Sequence, residues 1–256
     1  TGQFVLPWVL LHAIKDYADM AGHLERHPAI RCTVNFVPVL LDQIEDYGDQ
    51  FATRRWRDPL LAIACEDNPE RLTAPQRAWL LDMAFRCHAP TMLEPFAHYR
   101  RLRDIYAFAK AQDGAGLDYL SGQYFADLAT WFLLAWTGET LRRDGPTIPA
   151  LMARGDRFGH ADRECLVATL GGVVRNLVPR YRALAERGQI ELSCTPGSHP
   201  LAPLLIDFAS AREALPDSPL PAALPPPAYA RFGDKTFWLL LVALTLVCGI
   251  LRHNCR

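Results

Sequence analysis

The segment from Gly188 to Pro200 constrains the fold most, because a strand pattern in it passes directly into a turn that carries polar groups. The first half of the segment alternates apolar and polar residues: Ile190, Glu191, Leu192, Ser193 and Cys194. This is the pattern of a strand with one buried face. Parallel α/β folds gather their reactive groups at the carboxyl ends of strands. Glu191 on the strand and His199 on the turn are therefore candidate site residues, although Glu191 could instead neutralise an arginine inside the fold.

Helix signals accompany the strand pattern. An apolar stripe predicts a long helix over Asp162–Arg187, which Pro179 is expected to kink or divide. Gly188 follows at the position where a helix end takes a positive φ. Farther upstream, Thr73 and Gln76 have the spacing of a capping box and predict the start of another helix.

A second strand pattern lies near the amino end of the chain. Its residues alternate in the same way: Cys32, Thr33, Val34, Asn35 and Phe36. In both strands we expect the apolar face to pack on helices and the polar face to point toward an interior lined for a ligand. Pro38 opens the next helix at a position that needs no N–H donor. Helix, strand and helix joined by short connections predict an α/β fold with parallel strands.

The chain is predicted to hold one main domain and a distinct tail. The domain covers residues 1–215 and includes a large helical insertion at about residues 55–136. Residues 216–227 contain six prolines and predict an extended linker. Residues 237–256 form an apolar tail, whose uncharged part would span only ~22 Å as a helix against a bilayer core of ~30 Å. A tail anchor of this length would be undersized, so we do not expect a membrane partner. A buried terminal element and a chain end outside the original reading frame are the alternatives.

Charge and cysteine content exclude several kinds of partner. The 256 residues carry 27 Lys and Arg against 28 Asp and Glu, with the signs interspersed. Because the chain has no basic stripe, we expect no nucleic-acid partner. The seven cysteines form no C-x-x-C motif and no zinc-ligand set. This predicts reduced thiols, a cytoplasmic location and no cofactor. Nucleotide-binding glycine motifs are also missing from the sequence.

The polar groups of the two strands favour a carbohydrate ligand. Asn35, Glu191 and His199 supply the amide, carboxylate and imidazole groups that bind sugar hydroxyls. Trp131 and Trp136 are candidate aromatic platforms for a sugar ring. Ordinary helix packing is the alternative for both tryptophans.

Five segments resemble motifs of one family, in order, over residues 3 to about 233. They are Leu6–Tyr17 (LPWVLLHAIKDY), Thr33–Pro38 (TVNFVP), Trp131–Trp136 (WFLLAW), Gly188–Ser193 (GQIELS) and Thr195–Pro200 (TPGSHP). Together they resemble glycoside hydrolase family 57. Trp8 and His12, in the first segment, complete the candidate substrate-binding residues, and a structural role is the alternative for His12.

The resemblance implies an incomplete irregular (β/α)7 barrel with a large helical insertion, and retaining chemistry on α-glucans of the starch and glycogen type. Retention requires two carboxyl groups ~5–5.5 Å apart. Glu191 corresponds to a substrate-site glutamate of the family and not to the nucleophile. The nucleophile is expected soon after Gly233, where the sequence becomes apolar, and the later acid/base aspartate is missing too. We therefore expect this chain to bind an α-glucan polysaccharide or oligosaccharide without turning it over, and its catalytic residues stay unassigned.

Three other interpretations stay open. A carbohydrate-binding relic without chemistry would use the same residues. A misfolded or membrane-tethered relic would expose unpaired sheet edges, which favour aggregation. A metal-dependent deacetylase on a similar barrel would need an aspartate and two histidines on strand ends, and of these the sequence offers His199.

Overall fold

A computed structural model of the chain describes residues 4–112, 115–195, 197, 204 and 206–217. The chain divides after Cys194 into two compact units. In the first unit, the described residues form helices around one sheet of two parallel strands. In the second unit they form a 3-10 turn at Phe208–Ser210 and a helical turn at Ala211–Ala214.

The first unit begins with a helix, a strand and a helix, in the order expected. The bounds are α1 Trp8–His12, a π-helical turn Ala13–Tyr17, α2 Ala18–Arg26, β1 Cys32–Phe36 and α3 Pro38–Thr53. Short helices follow: α4 Pro59–Ala64, α5 Ala74–Met83, α6 Ala89–Met92, α7 Ala97–Lys110, α8 Gly122–Ala135, α9 Glu139–Asp144 and α10 Thr147–Arg154. Two 3-10 turns lie among them, at Pro69–Arg71 and Ala115–Tyr119. The unit ends with α11 His160–Glu186 and β2 Ile190–Cys194.

Local sequence signals set several helix ends. The predicted capping box is present on α5, where the Thr73 N–H donates to Gln76 Oε1 at 2.9 Å and the Gln76 N–H donates to Thr73 Oγ1 at 3.4 Å. Pro38 occupies the start of α3, and Gly188 takes a φ of 67° after α11. These ends were predictable because each depends on residues within one turn of the helix.

Helix α11 continues past Pro179 without being divided, contrary to one of the two outcomes expected there. A proline inside a helix removes one hydrogen bond and costs ~3 kcal/mol. Leu177, Tyr181 and Leu184 are buried on both sides of Pro179. Burial of three such side chains, at ~1.5–3 kcal/mol each, outweighs that cost.

Two neighbours hold α11 in place beside the sheet. The Tyr181 hydroxyl donates to the carbonyl of Tyr17 at 2.9 Å, which joins α11 to the first helix. Gly171 of α11 lies against α3, where a Cβ on this glycine would be 2.7 Å from Cδ1 of Phe51. Strand β2 therefore follows directly after a helix, α11, whose position is fixed by its contacts with two other helices.

The two strands pair in parallel, with Thr33 opposite Glu191 and Asn35 opposite Ser193. This confirms the α/β order with parallel strands. The apolar face is packed less completely than expected. Val34 and Ile190 are buried, but the Leu192 residue is 53% exposed.

Leu192 belongs to the wall of an open groove of about 450 Å³ between β2 and α11. Helix α11 flanks this part of β2 but does not close over it, which is why the expected burial fails there.

None of the helices in the described part of the chain is long and apolar enough to cross a membrane. Of the predicted linker at residues 216–227, only Pro216 and Asp217 are described, and the tail at 237–256 lies outside the described residues.

Candidate functional site

The polar sides of β1 and β2 form one surface, here called the strand face: Thr33, Asn35, Glu191 and Ser193. The Thr33 hydroxyl donates to Oε2 of Glu191 at 3.2 Å, and the Ser193 hydroxyl donates to Oδ1 of Asn35 at 2.9 Å. All four residues are exposed. The sheet therefore brings the predicted pair Asn35 and Glu191 together on adjacent strands.

Glu191 is not paired with an arginine among the described residues. The interpretation of Glu191 as an internal counter-ion therefore has no support in this part of the chain. Its side chain is instead held by the hydroxyl of Thr33 and stays open to solvent.

Thr33 and Ser193 were not predicted as site residues. Each hydroxyl binds the predicted residue on the neighbouring strand, so only the register of the two strands identifies them. The signal in the sequence was their place on the polar side of each alternation.

A second group, here called the aromatic cluster, consists of Trp8, His12 and Trp136. The ring centroids of Trp8 and Trp136 lie 5.6 Å apart, and those of His12 and Trp136 lie 5.5 Å apart in an edge-to-face arrangement. Trp136 is buried, while Trp8 and His12 are partly exposed. Three predicted site residues from two distant segments of sequence therefore meet at one place.

Charged neighbours of His12 complete this cluster. His12 Nδ1 is hydrogen-bonded to the Asp16 carboxylate, which also accepts a bond of 2.6 Å from the Lys15 ammonium. Partial burial raises the pKa of Asp16, but the hydrogen bonds from Lys15 and His12 outweigh it and bring this pKa below its usual range. Asp16 is therefore a carboxylate at neutral pH. Asp16 was not among the predicted site residues, although its spacing of four residues from His12 is visible in the sequence.

Trp131, the other predicted sugar platform, does not belong to either group. The Trp131 residue is only 2% exposed, and its Nε1–H donates to the carbonyl of Gly155 at 2.6 Å. Its ring packs against Phe96, Tyr99 and Phe158 in the core. The packing interpretation applies because no face of the indole is left for a ligand.

His199 lies outside the described residues, so its predicted role stays a prediction. Among the described residues, no hydrogen bond or ring contact joins the strand face to the aromatic cluster.

Two buried carboxyl groups elsewhere serve the fold. Asp127 accepts the backbone N–H groups of Arg157 and Phe158, at 3.1 and 2.9 Å. Asp58 accepts the Tyr47 hydroxyl at 2.5 Å and the Leu60 N–H at 2.8 Å. Burial raises the pKa of both carboxyls above the ordinary value.

Across the described ranges, no three or more His, Cys, Asp or Glu side chains gather in a way that could hold a metal ion.

Comparison with known families agrees with the motifs in the sequence. Residues 1–219 match the model of glycosyl hydrolase family 57. The chain therefore belongs to that family, whose members act on carbohydrates. No curated protein and no solved structure matches the chain.

Proposed function

We propose that this chain is part of the catalytic domain of a retaining enzyme that acts on α-1,4 or α-1,6 linkages of α-glucans, and that the strand face binds the glucan. Family membership supports a carbohydrate substrate. The observation that carries the proposal is the strand face itself, where a carboxylate and an amide lie on the same face of two parallel strands, in diagonal positions of the register.

The hydrogen bonds of the strand face suit sugar hydroxyls. Thr33 occupies one lone pair of Glu191, and the remaining carboxylate lone pairs can accept hydroxyl protons. Ser193 donates to Oδ1 of Asn35, which leaves the amide Nδ2–H groups as donors. A donor and an acceptor on the same face of adjacent strands can each bind a hydroxyl of the glucan. His199 is proposed as a third polar contact.

The finer architecture belongs to the same proposal. The two strands are two members of a (β/α)7 barrel, and the helices α4 to α8 form the insertion at about residues 55–136. The linker at 216–227 and the tail at 237–256 follow the domain. We propose a cytoplasmic location, in keeping with Cys32, Cys65 and Cys87, which form no disulfide within the described part of the chain.

Binding of maltoheptaose to the full chain, measured by calorimetry, tests the role of the strand face. Glu191→Gln removes the charge and retains the size of the side chain. A hydrogen bond to a charged group contributes ~1.5–3 kcal/mol, so affinity should fall by about 10-fold or more. Glu45→Gln is the matched control, because Glu45 is an exposed glutamate on α3, away from the strand face. Equal affinity of Glu191→Gln and the control would refute the proposal.

A carbohydrate-binding domain without chemistry is the second candidate. It is favoured by the strand face, where Glu191 is the one carboxylate among the described residues of β1 and β2. Retention needs two carboxyl groups within reach of one bond. Both candidates predict that this chain binds maltoheptaose without releasing reducing sugar. Sustained release by the purified chain would refute the binding-only candidate and the expected lack of turnover.

A further inference from the structure

The first helix of the chain widens at one point. Between α1 and α2, residues Ala13–Tyr17 form a π-helical turn. Such turns are rare and occur frequently at functional sites, because they trade regular hydrogen bonding for a changed side-chain direction. Here the turn begins directly after His12 and contains both Lys15 and Asp16.

This turn places three polar groups in contact. Asp16 binds Nδ1 of His12 with one carboxylate oxygen and the Lys15 ammonium with the other. An imidazole whose Nδ1–H donates to a carboxylate carries its remaining lone pair on Nε2 when it is neutral. The Nε2 atom has no hydrogen-bond partner among the described residues and is not buried, so it is open to solvent. His12 thus presents an acceptor of fixed direction.

The indole of Trp136 provides a second sign of a ligand. Trp136 is 8% exposed, and its Nε1–H has no hydrogen-bond partner among the described residues. A buried donor without an acceptor costs ~1–3 kcal/mol. The ring of Trp136 contacts both His12 and the partly exposed Trp8. A hydroxyl group that enters the cluster would supply the missing acceptor. The indole face of Trp8 can pack on the apolar C–H face of a sugar ring.

We propose that the aromatic cluster is a second α-glucan contact surface, separate from the strand face, and that Asp16 is the positioning residue that fixes His12 within it. His12 Nε2 accepts a sugar hydroxyl, and Trp8 packs on the sugar ring. Asp16 does not contact the sugar and acts through the imidazole. This inference rests on the proposed function for the identity of the ligand.

The test combines binding and nitrogen NMR on the full chain with ¹⁵N-labelled histidine. Asp16→Ala removes the carboxylate at a partly exposed helix position, where alanine is a good helix former. We expect maltoheptaose affinity to fall by about 5-fold, the loss of roughly one hydrogen bond between the neutral imidazole and a sugar hydroxyl. The His12 signals should change from an Nδ1–H tautomer to a mixture in which Nε2–H predominates. Asp16→Asn should recover part of the maltoheptaose affinity and part of the Nδ1–H tautomer, because its amide oxygen still accepts Nδ1–H.

Asp82→Ala is the matched control, since Asp82 also pairs with a residue four positions away, Arg86, at 2.5 Å, and both side chains are exposed. Asp82→Ala should leave both the maltoheptaose affinity and the tautomer of His12 unchanged. Wild-type affinity and an unchanged tautomer in Asp16→Ala would overturn the inference. So would a fall in affinity of the same size in Asp16→Ala whether or not His12 is replaced by alanine, because a residue that acts through His12 has no effect without it.

The outcome also separates this inference from the proposed function. If Glu191→Gln weakens binding and Asp16→Ala does not, the second surface is refuted and the strand face stands. If Asp16→Ala weakens binding and Glu191→Gln does not, the strand-face proposal fails and the second surface stands. Absence of maltoheptaose binding by the wild-type chain would refute both.

Discussion

Gly171 and Gly172 are neighbours on α11 and meet different surroundings. A Cβ at Gly171 would lie 2.7 Å from Cδ1 and 2.9 Å from Cγ of Phe51, whereas a Cβ at Gly172 would have no neighbour within 4 Å. Gly171→Ala and Gly172→Ala therefore make the same chemical change in one helix. They differ in the contact with Phe51 on α3.

The two variants should change stability in opposite directions. Replacing glycine by alanine in a helix interior stabilises by ~0.8–1 kcal/mol, and this gain is the same at both positions. Overpacking in a core costs ~1–3 kcal/mol, and the 2.7 Å approach requires either the Phe51 ring or α3 to move. Gly172→Ala should gain close to 1 kcal/mol, and Gly171→Ala should lie about 1–3 kcal/mol below it.

Urea unfolding followed by circular dichroism and tryptophan fluorescence measures this difference. Coincident transitions by the two probes show that one free energy of unfolding applies to the unit. Phe51→Leu, made in the wild type and in Gly171→Ala, completes a double-mutant cycle. It should lower the free energy of unfolding less in Gly171→Ala than in the wild type, because it relieves the clash. If Gly171→Ala is as stable as Gly172→Ala, the close packing of α11 on α3 is wrong.

Three further predictions concern buried groups. Asp58→Ala should destabilise by ~2–4 kcal/mol, since it removes a helix cap and the acceptor of the Tyr47 hydroxyl; adding Tyr47→Phe should recover part of the loss in urea unfolding. Trp131→Phe should cost ~2 kcal/mol of stability, because it loses volume and one hydrogen bond, and leave maltoheptaose affinity unchanged; weaker binding would return Trp131 to the site. Burial raises the folded-state pKa of Asp127 above 3.8, so its contribution to stability is present below that pH and is lost as pH rises through the raised pKa. The stability of Asp127→Asn relative to the wild type should therefore increase in thermal melts as the pH rises above 3.8, and a constant difference would contradict the assignment.

The elements that the sequence predicted correctly depend on short-range information. Alternation over five residues located β1 and β2, and the capping box at Thr73 and the glycine at 188 located helix ends. The groove beside Leu192 could not be predicted in this way. Whether an apolar strand residue is covered depends on how far α11 extends over β2, which alternation along one strand does not report.

The candidate site residues likewise divide into those that short-range sequence patterns predict and those that only tertiary contacts identify. Asn35 and Glu191 followed from strand alternation, and their position on adjacent strands is confirmed. Trp131 and Trp136 lie five positions apart in the sequence and looked equivalent. One of them packs among rings from α7 and the segment before α11, and the other meets α1. Only the tertiary partners distinguish these two tryptophans.

The contacts of α11 set an order in which the first unit can fold. Its Tyr181 binds the carbonyl of Tyr17, which is 164 positions earlier, and its Arg163 binds the carbonyl of Ala64, which is 99 positions earlier. Contacts of such sequence separation require long loops to close before they stabilise anything, which slows folding. During synthesis on the ribosome, the first helix and α3 therefore expose apolar surface until α11 has been made and can pack on them. Chains ending before His160 should bind holdase chaperones, and chains extended beyond Cys194 should release them.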